Sequence, residues 1–574
     1  MPGIYSMMDI SRWALNASVD QLDVVSHNVA NVNTPGYSRQ VAVLATRNPQ
    51  YSSKGYFGNG VQTTTVMQYV DKLLLGRLTA NTSDTSYYSA KLSQLTRLEA
   101  LANEASDTGL GAQITSLFNA WQDLSNNPES SAVRASLQET ASNMAQRFQS
   151  VANDMLSVQR DIDGYLKDAV SQANLICRTI ADLNLKIQQS EVSGHSANDY
   201  RDERQRQLNE LAGLMNISWY EDSTGAVNVQ TSSGKSLVQV NYPGDNDPDP
   251  LAFEERLGDG YEHNQLVWTS GGLVMDYTEI TGGSIGAWLD VRDNQIEDML
   301  DYMNDLAKTI IFDVNKLHAS GAGLSAMTSV TGAYQAQSAS AALNSADNLA
   351  YGDEIVAGSF DIWVYQGGTR IKTTIDVKPT DSLDDIAAAI NGVTGLNASV
   401  SSLNTLTIHA DEGAEFTFAN DTSNVLAALG VNTFFDGSTA TSISINETIA
   451  NDVGRICAGR IGDDGELSKG DNTAALDIAD LKDSDSMLGD TVTYNESLIS
   501  WAASLGTTIS NATDSYSFAT ETTSSLENLR DSMSGVSLDE EMVRMIQFQR
   551  SYQMAAQMIQ VSDELLQTLI GIVK

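Results

Sequence analysis

The 574-residue sequence predicts an α+β multidomain protein: an elongated helical bundle with paired terminal coiled-coil helices and inserted β-rich outer domains. Three observations carry this expectation. Both chain ends repeat apolar residues at alternating spacings of three and four, which is the seam of a coiled coil. A central stretch, Ser130 to Val192, holds the same rhythm with Gly164 as its one interruption. Between the helical stretches, period-two alternation broken by Gly, Pro and Asp reads as strands.

The opening helix carries Ile4, Met8, Ser11, Leu15, Ser18, Leu22, Val25, Val29 and Val32, a seam about four heptads long. Pro35 cannot continue a helix and Gly36 tolerates a left-handed turn, so Asn33, Thr34, Pro35 and Gly36 predict a hard stop. Residues 37 to 66 read as extended, with Gly55, Gly58 and Gly60 as punctuation, and 70 to 105 as helix. The helix after Pro128 keeps its seam through Ala141, Met144, Phe148, Val151, Met155, Val158, Ile162, Tyr165, Ala169, Gln172, Ile176, Thr179 and Leu183. At 1.5 Å per residue that rod is about 90 Å long, which predicts an elongated molecule.

Residues 217 to 282 read as strands, and Gly286 to His318 as a helix through Ile296, Met299, Met303, Leu306, Ile310, Val314 and Leu317. Residues 350 to 420 form a compact unit. There FDIWV and IKTTIDV flank Gly367-Gly368 as a hairpin, and Ser382-Leu383-Asp384-Asp385 opens a helix as a capping box. Helix returns from about Tyr494 to Met533 and from Leu538 to the end. The last seam is Met542, Met545, Gln549, Tyr552, Ala556, Ile559, Asp563, Leu566, Ile570 and Val573. The expected division is 1–60 with 535–574 as a terminal-helix assembly domain. A long helical bundle comprises 61–216, 283–322 and 446–534, with a β-rich domain at 217–282 and an outer α/β insertion at 323–445.

The formal charge is −40, from 73 acidic and 33 basic residues, which repels nucleic acid and anionic membranes. No apolar run is long enough for membrane insertion. The start MPGIYSMMDISRW lacks the basic and apolar regions of a secretory signal, so the expectation is a cytoplasmic protein or one exported without a cleaved signal. Cys177 and Cys457, the two cysteines present, exclude a disulfide framework and a cysteine-rich zinc site, and read as small buried hydrophobes.

One stretch imitates catalytic chemistry. Gly282-Gly283-Ser284-Ile285-Gly286 matches a nucleophile elbow, with Asp290 and His318 downstream, so a secreted serine hydrolase is weighed as an alternative. No oxyanion loop precedes it, no parallel sheet surrounds it, and the chain has five histidines: His27, His195, His263, His318 and His409. The simpler reading is a glycine turn with Ser284 capping the next helix. Asp245-Asn246-Asp247-Pro248-Asp249 imitates a calcium loop, but the required Gly is Pro250 and the closing glutamate is Arg256. We assign no catalytic, cofactor-binding or metal residue and expect no enzyme.

LNASVDQLDVVSHNVANVNTPGYSRQ resembles the N-terminal segment of bacterial flagellar rod, hook and hook-associated proteins. GVSLDEEMVRMIQFQRSYQMAAQMIQVSDELLQTLIGI resembles the same family's closing segment. Within the family, NDYRDERQRQLNELAGLMNIS, GGSIGAWLDVRDNQIEDMLDYMNDLAKTIIFDVNKLHASG and LSKGDNTAALDIADL point to its hook–filament junction members. Residues 350 to 420 resemble the insertion module of flagellins and related axial proteins. A hook or rod protein is the alternative within the family; flagellin lacks the N-T-P-G segment.

The resemblance implies a structural adaptor joining hook to filament, assembled at the hook tip after type III export. It also implies an extracellular place on the flagellum. The implied partners are further copies of the chain in an open helical assembly, the hook protein and a second hook–filament junction protein, with an export chaperone on the C-terminal helix. The expected assembly seam is Ile4, Met8, Leu15, Leu22, Val25, Val29, Val32, Met542, Met545, Tyr552, Ile559, Leu566 and Ile570, and the expected turn motif is Asn33, Thr34, Pro35 and Gly36. Small seam residues would let helices approach closely, and polar Ser11, Ser18, Gln549 and Asp563 would fix register.

Overall fold

The computed structural model describes residues 3–573 apart from 53–54, 103–108, 193, 240–249, 255–263, 271 and 346. Asp245 to Asp249, Arg256 and His263 lie outside the described residues. The chain divides into two compact units. One comprises Met1–Gln94, Arg160–Asp293 and Ser510–Lys574, and the other Leu95–Gln159 and Asn294–Ile509.

In chain order, α1 (Gly3–Ala30) leads to β1 (Gln40–Thr46), β2 (Gln50–Ser52), β3 (Gly55–Phe57) and β4 (Val61–Gln68). Four helices follow: α2 (Lys72–Ala102), α3 (Leu110–Asn126), α4 (Ser131–Glu191) and α5 (Asn198–Leu214). Short strands come next: β5 (Ile217–Glu221), β6 (Val227–Thr231), β7 (Ser236–Val238), β8 (Leu251–Glu254), β9 (Gln265–Trp268) and β10 (Leu273–Val274). A π-helical turn, Val291–Gln295, joins α6 (Gly283–Asp290) to α7 (Ile296–Ala319). Then β11 (Ser329–Thr331), β12 (Gly358–Gln366) and β13 (Thr369–Val377) precede α8 (Leu383–Asn391), β14 (Leu396–Val400), β15 (Leu406–Ala410) and β16 (Ala414–Ala419). The chain closes with α9 (Val425–Ala428), β17 (Phe435–Asp436), β18 (Ser444–Ile445), α10 (Glu447–Asn451), α11 (Thr473–Asp480), α12 (Tyr494–Ser534) and α13 (Leu538–Val573).

In the first unit, α1 pairs with α13, and the antiparallel ribbon β1–β4 lies on α1. Two small sheets, β5-β6-β7 and β10-β9-β8, are tied to α4 by asparagines that act as surrogate strand edges. Asn184 donates to the Val227 carbonyl at 2.8 Å and accepts from its N–H at 3.0 Å. Asn174 does the same with Leu251, at 2.8 and 3.3 Å. Each asparagine thus satisfies backbone groups that a strand end otherwise leaves unpaired.

The rod extends from Ser131 to Glu191, but its buried stripe departs from the expected seam part-way along. Ala141, Met144, Phe148, Val151, Met155, Val158 and Ile162 are buried as expected. Beyond Gly164 the expected Ala169, Ile176 and Leu183 remain buried, but the other line shifts by one residue to Leu166, Ala173, Ile180 and Ile187, whereas Tyr165 is 43% exposed and Gln172 faces solvent. A straight α-helix drifts about 20° per heptad from a strict seven-residue repeat, so the stripe moves to the neighbouring residue within a few heptads.

The helix expected from Gly286 to His318 is interrupted at Val291–Gln295. There the buried guanidinium of Arg292 reaches Asp163 and the Asn264 carbonyl, each at 2.7 Å. The extra residue of a π turn aims a side chain that regular α geometry would misplace. The helix α3 lies in a stretch to which the sequence pattern assigned no element; its amphipathic face buries Ile114, Leu117, Phe118, Trp121 and Leu124.

In the second unit, the hairpin β12–β13 pairs Gln366 with Thr369 across Gly367-Gly368. The Ser382 hydroxyl accepts from the Asp385 N–H at 3.2 Å while the Asp385 carboxylate accepts from the Ser382 N–H at 2.9 Å, so the capping box is formed. The segment after β16 is built into the helical core: Asn315 on α7 accepts from the N–H groups of Phe434 and Phe435, each at 2.9 Å, and Phe434 packs on Trp121 and His318.

His318 is fully buried and both ring nitrogens are committed. Nδ1 donates to the Asn432 carbonyl at 2.8 Å, and Nε2 accepts from the Cys457 N–H at 2.9 Å. Only the neutral ring can do both, and burial pushes its pKa down to about 4. The unfolded chain therefore takes up this proton first. The associated stability is present above pH 6.5 and is lost as pH falls toward 4. Relative to a His318→Gln variant, the wild type should lose roughly 2 kcal/mol between pH 7 and pH 5 in denaturant unfolding. Parallel losses in the two proteins would contradict this assignment.

Candidate assembly site

The two chain ends meet as an antiparallel pair, because Asn28 near the end of α1 contacts Glu541 near the start of α13. Small residues close the seam. Ser11, Ala17, Ser18 and Val25 are buried on α1, and Ala555 and Ser562 on α13. Each seam hydroxyl returns to its own helix: Ser11 to the Met7 carbonyl at 2.8 Å, Ser18 to Ala14 at 2.9 Å and Ser562 to Met558 at 2.7 Å. The serines are therefore satisfied before the helices meet, and they allow close approach without cross-helix hydrogen bonds.

On α1 the expected seam and the buried stripe coincide in phase. Val25 is buried, Ile4, Leu15, Leu22, Val29 and Val32 are half-buried, and Met8 is exposed. On α13 one line of the expected seam is partly or largely exposed: Met545, Ile559 and Leu566 are half-buried and Tyr552 is 39% exposed. The other line is displaced by one residue. Met542 and Ile570 are 56% and 55% exposed, and Gln549 and Asp563 face solvent, because Glu541, Ala555 and Ser562 occupy the buried positions instead. Hydropathy favours Met542 over the Glu541 beside it, and so selects the wrong phase. Nor do the polar seam residues set register; that role falls to the end of α1.

There α1 stops at Ala30, three residues before Asn33, and the chain turns through Asn31 to Gly36. The Thr34 N–H donates to the Asn31 carbonyl at 2.9 Å, and the Tyr37 N–H to the Thr34 carbonyl at 3.2 Å. Asn33, Thr34 and Pro35 are exposed, and Gly36 has φ +79°, a left-handed conformation that a side chain would strain. The turn delivers Tyr37, Ser38, Arg39 and Gln40 back onto the helix they have just left.

Asn28, fully buried, is the centre of that return. Its amide donates to the Gln40 carbonyl at 2.9 Å and to the Glu541 carboxylate at 3.1 Å. Its carbonyl accepts from the Gln40 N–H at 3.0 Å and the Tyr37 hydroxyl at 2.8 Å. Glu541, also fully buried, accepts from Arg39 Nε at 2.9 Å, and the Arg39 N–H donates to the Ser534 carbonyl at 2.8 Å. The start of α5 closes the knot. Ser38 donates its N–H to Asp202 at 2.9 Å, Gln40 its amide to Asp199 at 2.7 Å, and Asn198 its amide to the Val66 carbonyl at 3.0 Å. Tyr37 thus ties the returning chain to α1, and Ser38, Arg39 and Gln40 each fasten it to α5 or to the start of α13.

A cleft of about 210 Å³ beside this turn is lined by Pro35, Arg201, Asp202, Trp219 and Arg530, among others. Arg201 is already paired with Glu191 and Glu221, and Glu221 with Lys72. The hydrolase pattern dissolves in the same way. Gly283 packs on the backbone at Leu214–Met215, where a Cβ would come within 2.3 Å, and a Cβ on Gly286 would come within 2.7 Å of the Ile280 carbonyl. These glycines serve close packing. Asp290 is held by Lys91 at 2.6 Å and Tyr87 at 2.9 Å, and His318 is locked to Asn432 and Cys457.

Charge is distributed unevenly along the chain. Residues 1–60 hold four basic and three acidic side chains, and 535–574 hold three and five, for a net −1. The remaining −39 of the total −40 lies within 61–534. The joined ends are nearly neutral and the rest is strongly anionic.

Residues 95–331 match the model for the flagellar hook-associated protein FlgK helical domain. Residues 8–37 match that for flagella basal body rod proteins, and 530–572 that for the flagellar basal body rod FlgEFG C-terminal region. Flagellar hook-associated protein 1 of Escherichia coli strain K12 is 22% identical over 575 residues, covering 99% of this chain and 100% of that protein. Its counterpart in Bacillus subtilis strain 168 is 24% identical over 586 residues, covering 100% and 99%. The chain thus matches the FlgK helical domain and is similar over its full length to flagellar hook-associated protein 1. The hook junction protein FlgK from Burkholderia pseudomallei shares the fold, with a TM-score of 0.51 and 16% identity over 80% of this chain and 100% of that one. Residues 364–412 match the flagellin hook IN motif. The rod and C-terminal matches include Asn28 with Tyr37 and Ser534 with Glu541, while Ser38, Arg39 and Gln40 follow directly after the first.

Burial raises the Asp202 carboxyl to about 6, against the lowering effect of its hydrogen bonds from Ser38. The folded state holds this proton more tightly than the unfolded chain, so stability falls as pH rises from about 4 through 6. Asp202→Asn keeps an acceptor for the Ser38 N–H and removes the charge. Relative to wild type, it should gain about 2 kcal/mol of unfolding free energy between pH 4.5 and pH 7. A variant weaker than wild type at pH 7 would show that the charge itself is needed.

Proposed function

We propose that the chain is the structural adaptor between hook and filament in the bacterial flagellum, with its joined ends as the assembly surface. The observation that carries this reading is the buried knot of Asn28, Tyr37, Arg39, Gln40 and Glu541, which fixes both ends in one register. A protein that builds a tube needs that rigidity, because each subunit must present the same surfaces to its neighbours. The near-neutral ends fit the same role. Copies can approach there without the repulsion that −39 charges impose elsewhere.

In this reading the chain has no enzymatic activity, since Asp290 and His318, the residues the elbow pattern would recruit, are committed to other partners. It is exported to the outside of the cell as part of the flagellum. Its neighbours are further copies, the hook protein and a second junction protein, and a chaperone covers α13 before export. The assembly residues are the α1 seam with Met542, Met545, Tyr552, Ile559, Leu566 and Ile570, of which the exposed Met542 and Ile570 are left for neighbours. The working division keeps 1–60 with 535–574 as the assembly domain and 323–445 as the insertion, whose last stretch returns to pack on α7.

Electron microscopy of a strain lacking the gene tests the function directly. Hooks without filaments, and flagellin released into the medium, are expected, with both restored by the intact gene. Normal filaments in the deletion strain would refute the adaptor role.

A further inference from the structure

The described methionines fall into two sets along the chain. All eight from Met144 to Met487 are buried, none of them more than 8% exposed. Toward the chain ends the thioethers face solvent. Met542, Met554 and Met558 on α13 are between 43% and 59% exposed, and Met8, Met67 and Met533 are exposed as well. Met7 and Met545 are half-buried. Neither thiol competes for an oxidant: Cys177 and Cys457 are buried, and burial pushes the Cys457 thiol up to about 12, away from the reactive thiolate.

A thioether has no proton to lose, so access to solvent decides which methionine reacts. Hydrogen peroxide transfers one oxygen to the sulfur as its O–O bond breaks, giving a sulfoxide and water; the sulfur loses two electrons and the peroxide gains them. The product is polar where the thioether was apolar. On α13 that oxygen lands among apolar neighbours. Met542 stands one turn from Ile546, Met554 one turn from Met558, and Met558 one turn from Val561. The pairing of α1 with α13 is untouched, because Ala555 and Ser562, not these methionines, are the buried residues on this side of the seam.

We propose that Met542, Met554 and Met558 are modification sites at which a peroxide oxidises the free subunit and weakens its assembly. The inference rests on the adaptor reading, in which the joined ends are the assembly surface. Methionine suits such a surface because its flexible, apolar side chain adapts to what it meets. A sulfoxide forfeits that adhesion, since its oxygen must give up water on contact. Contact also protects: a covered thioether is closed to peroxide, as the eight interior methionines already are. Oxidation therefore acts on the subunit before incorporation and not after it. Leucine has nearly the same volume and helix propensity without the sulfur, so it separates the chemistry from the shape.

The test treats the purified full chain with hydrogen peroxide and reads sulfoxide at each methionine by peptide mass mapping. Met542, Met554 and Met558 should oxidise at least about tenfold faster than the eight from Met144 to Met487, with the far-UV helix signal unchanged. Comparable rates in the two sets, or loss of the helix signal, would overturn the proposal. Binding is then read by co-sedimentation with hooks isolated from a strain lacking the gene. The treated chain should bind at least about fivefold less, and the reductases for the two sulfoxide epimers should restore it. A variant carrying Met542→Leu, Met554→Leu and Met558→Leu should bind equally before and after treatment. Undiminished binding by the oxidised wild type, or a triple variant as sensitive as wild type, would refute the role of these three residues. Failure of the untreated chain to bind hooks would count against the adaptor reading instead, and the mass map stands apart from that reading.

Discussion

The hydrogen bond from the buried amide of Asn28 to the buried carboxylate of Glu541 joins residues 513 positions apart and sets the register of both chain ends. The rest of the terminal architecture depends on it. A carboxylate without solvent is costly unless fully partnered, and here Asn28 and Arg39 supply the donors. Those donors are in place only if the chain turns at Thr34–Gly36 and returns along Gln40. The turn, the first strand and the start of α13 therefore form together or not at all.

This dependence separates adhesion from specification along the terminal pair. The seam is lined by alanine and by serines that bond to their own helices, which permits close packing at many registers. Polar pairing at one end then selects one register, in the way a buried polar residue fixes alignment in a coiled coil. The knot also recruits α5 through Asp199 and Asp202, so the terminal pair is attached to the remainder of its unit by directional bonds. For a subunit in a polymer, that rigidity transmits position from the joined ends to the domain that follows.

Much of this was legible in the sequence, for identifiable reasons. The long helices, the β12–β13 hairpin and the Ser382 capping box follow from local rules, and local rules were obeyed. The failures arose where geometry accumulates or where polar residues are buried. One line of the α4 stripe shifts by a residue because 3.6 does not divide seven, so Tyr165 and Gln172 fall outside the core while Ala169, Ile176 and Leu183 stay in it. The α13 seam was placed one residue late because a buried glutamate is invisible to hydropathy. The TPGYSRQ segment could be recognised as a stop, but its fastening role needed the position of residues 534 and 541, which no local pattern contains. The G-x-S-x-G stretch shows the converse: glycines required for helix–backbone contact reproduce a catalytic spacing by coincidence.

The central claim is that Asn28 and Glu541 act as one unit in holding the ends together. A double-mutant cycle tests it most directly, using Asn28→Ala, Glu541→Ala and both, with the opening free energy of α13 read from amide hydrogen exchange. The account predicts single-variant costs of about 2–4 kcal/mol and a coupling of at least about 1 kcal/mol, because either truncation leaves the other partner buried and unpaired. Additivity to within about 0.3 kcal/mol would show that the two residues do not act together, and would contradict the account.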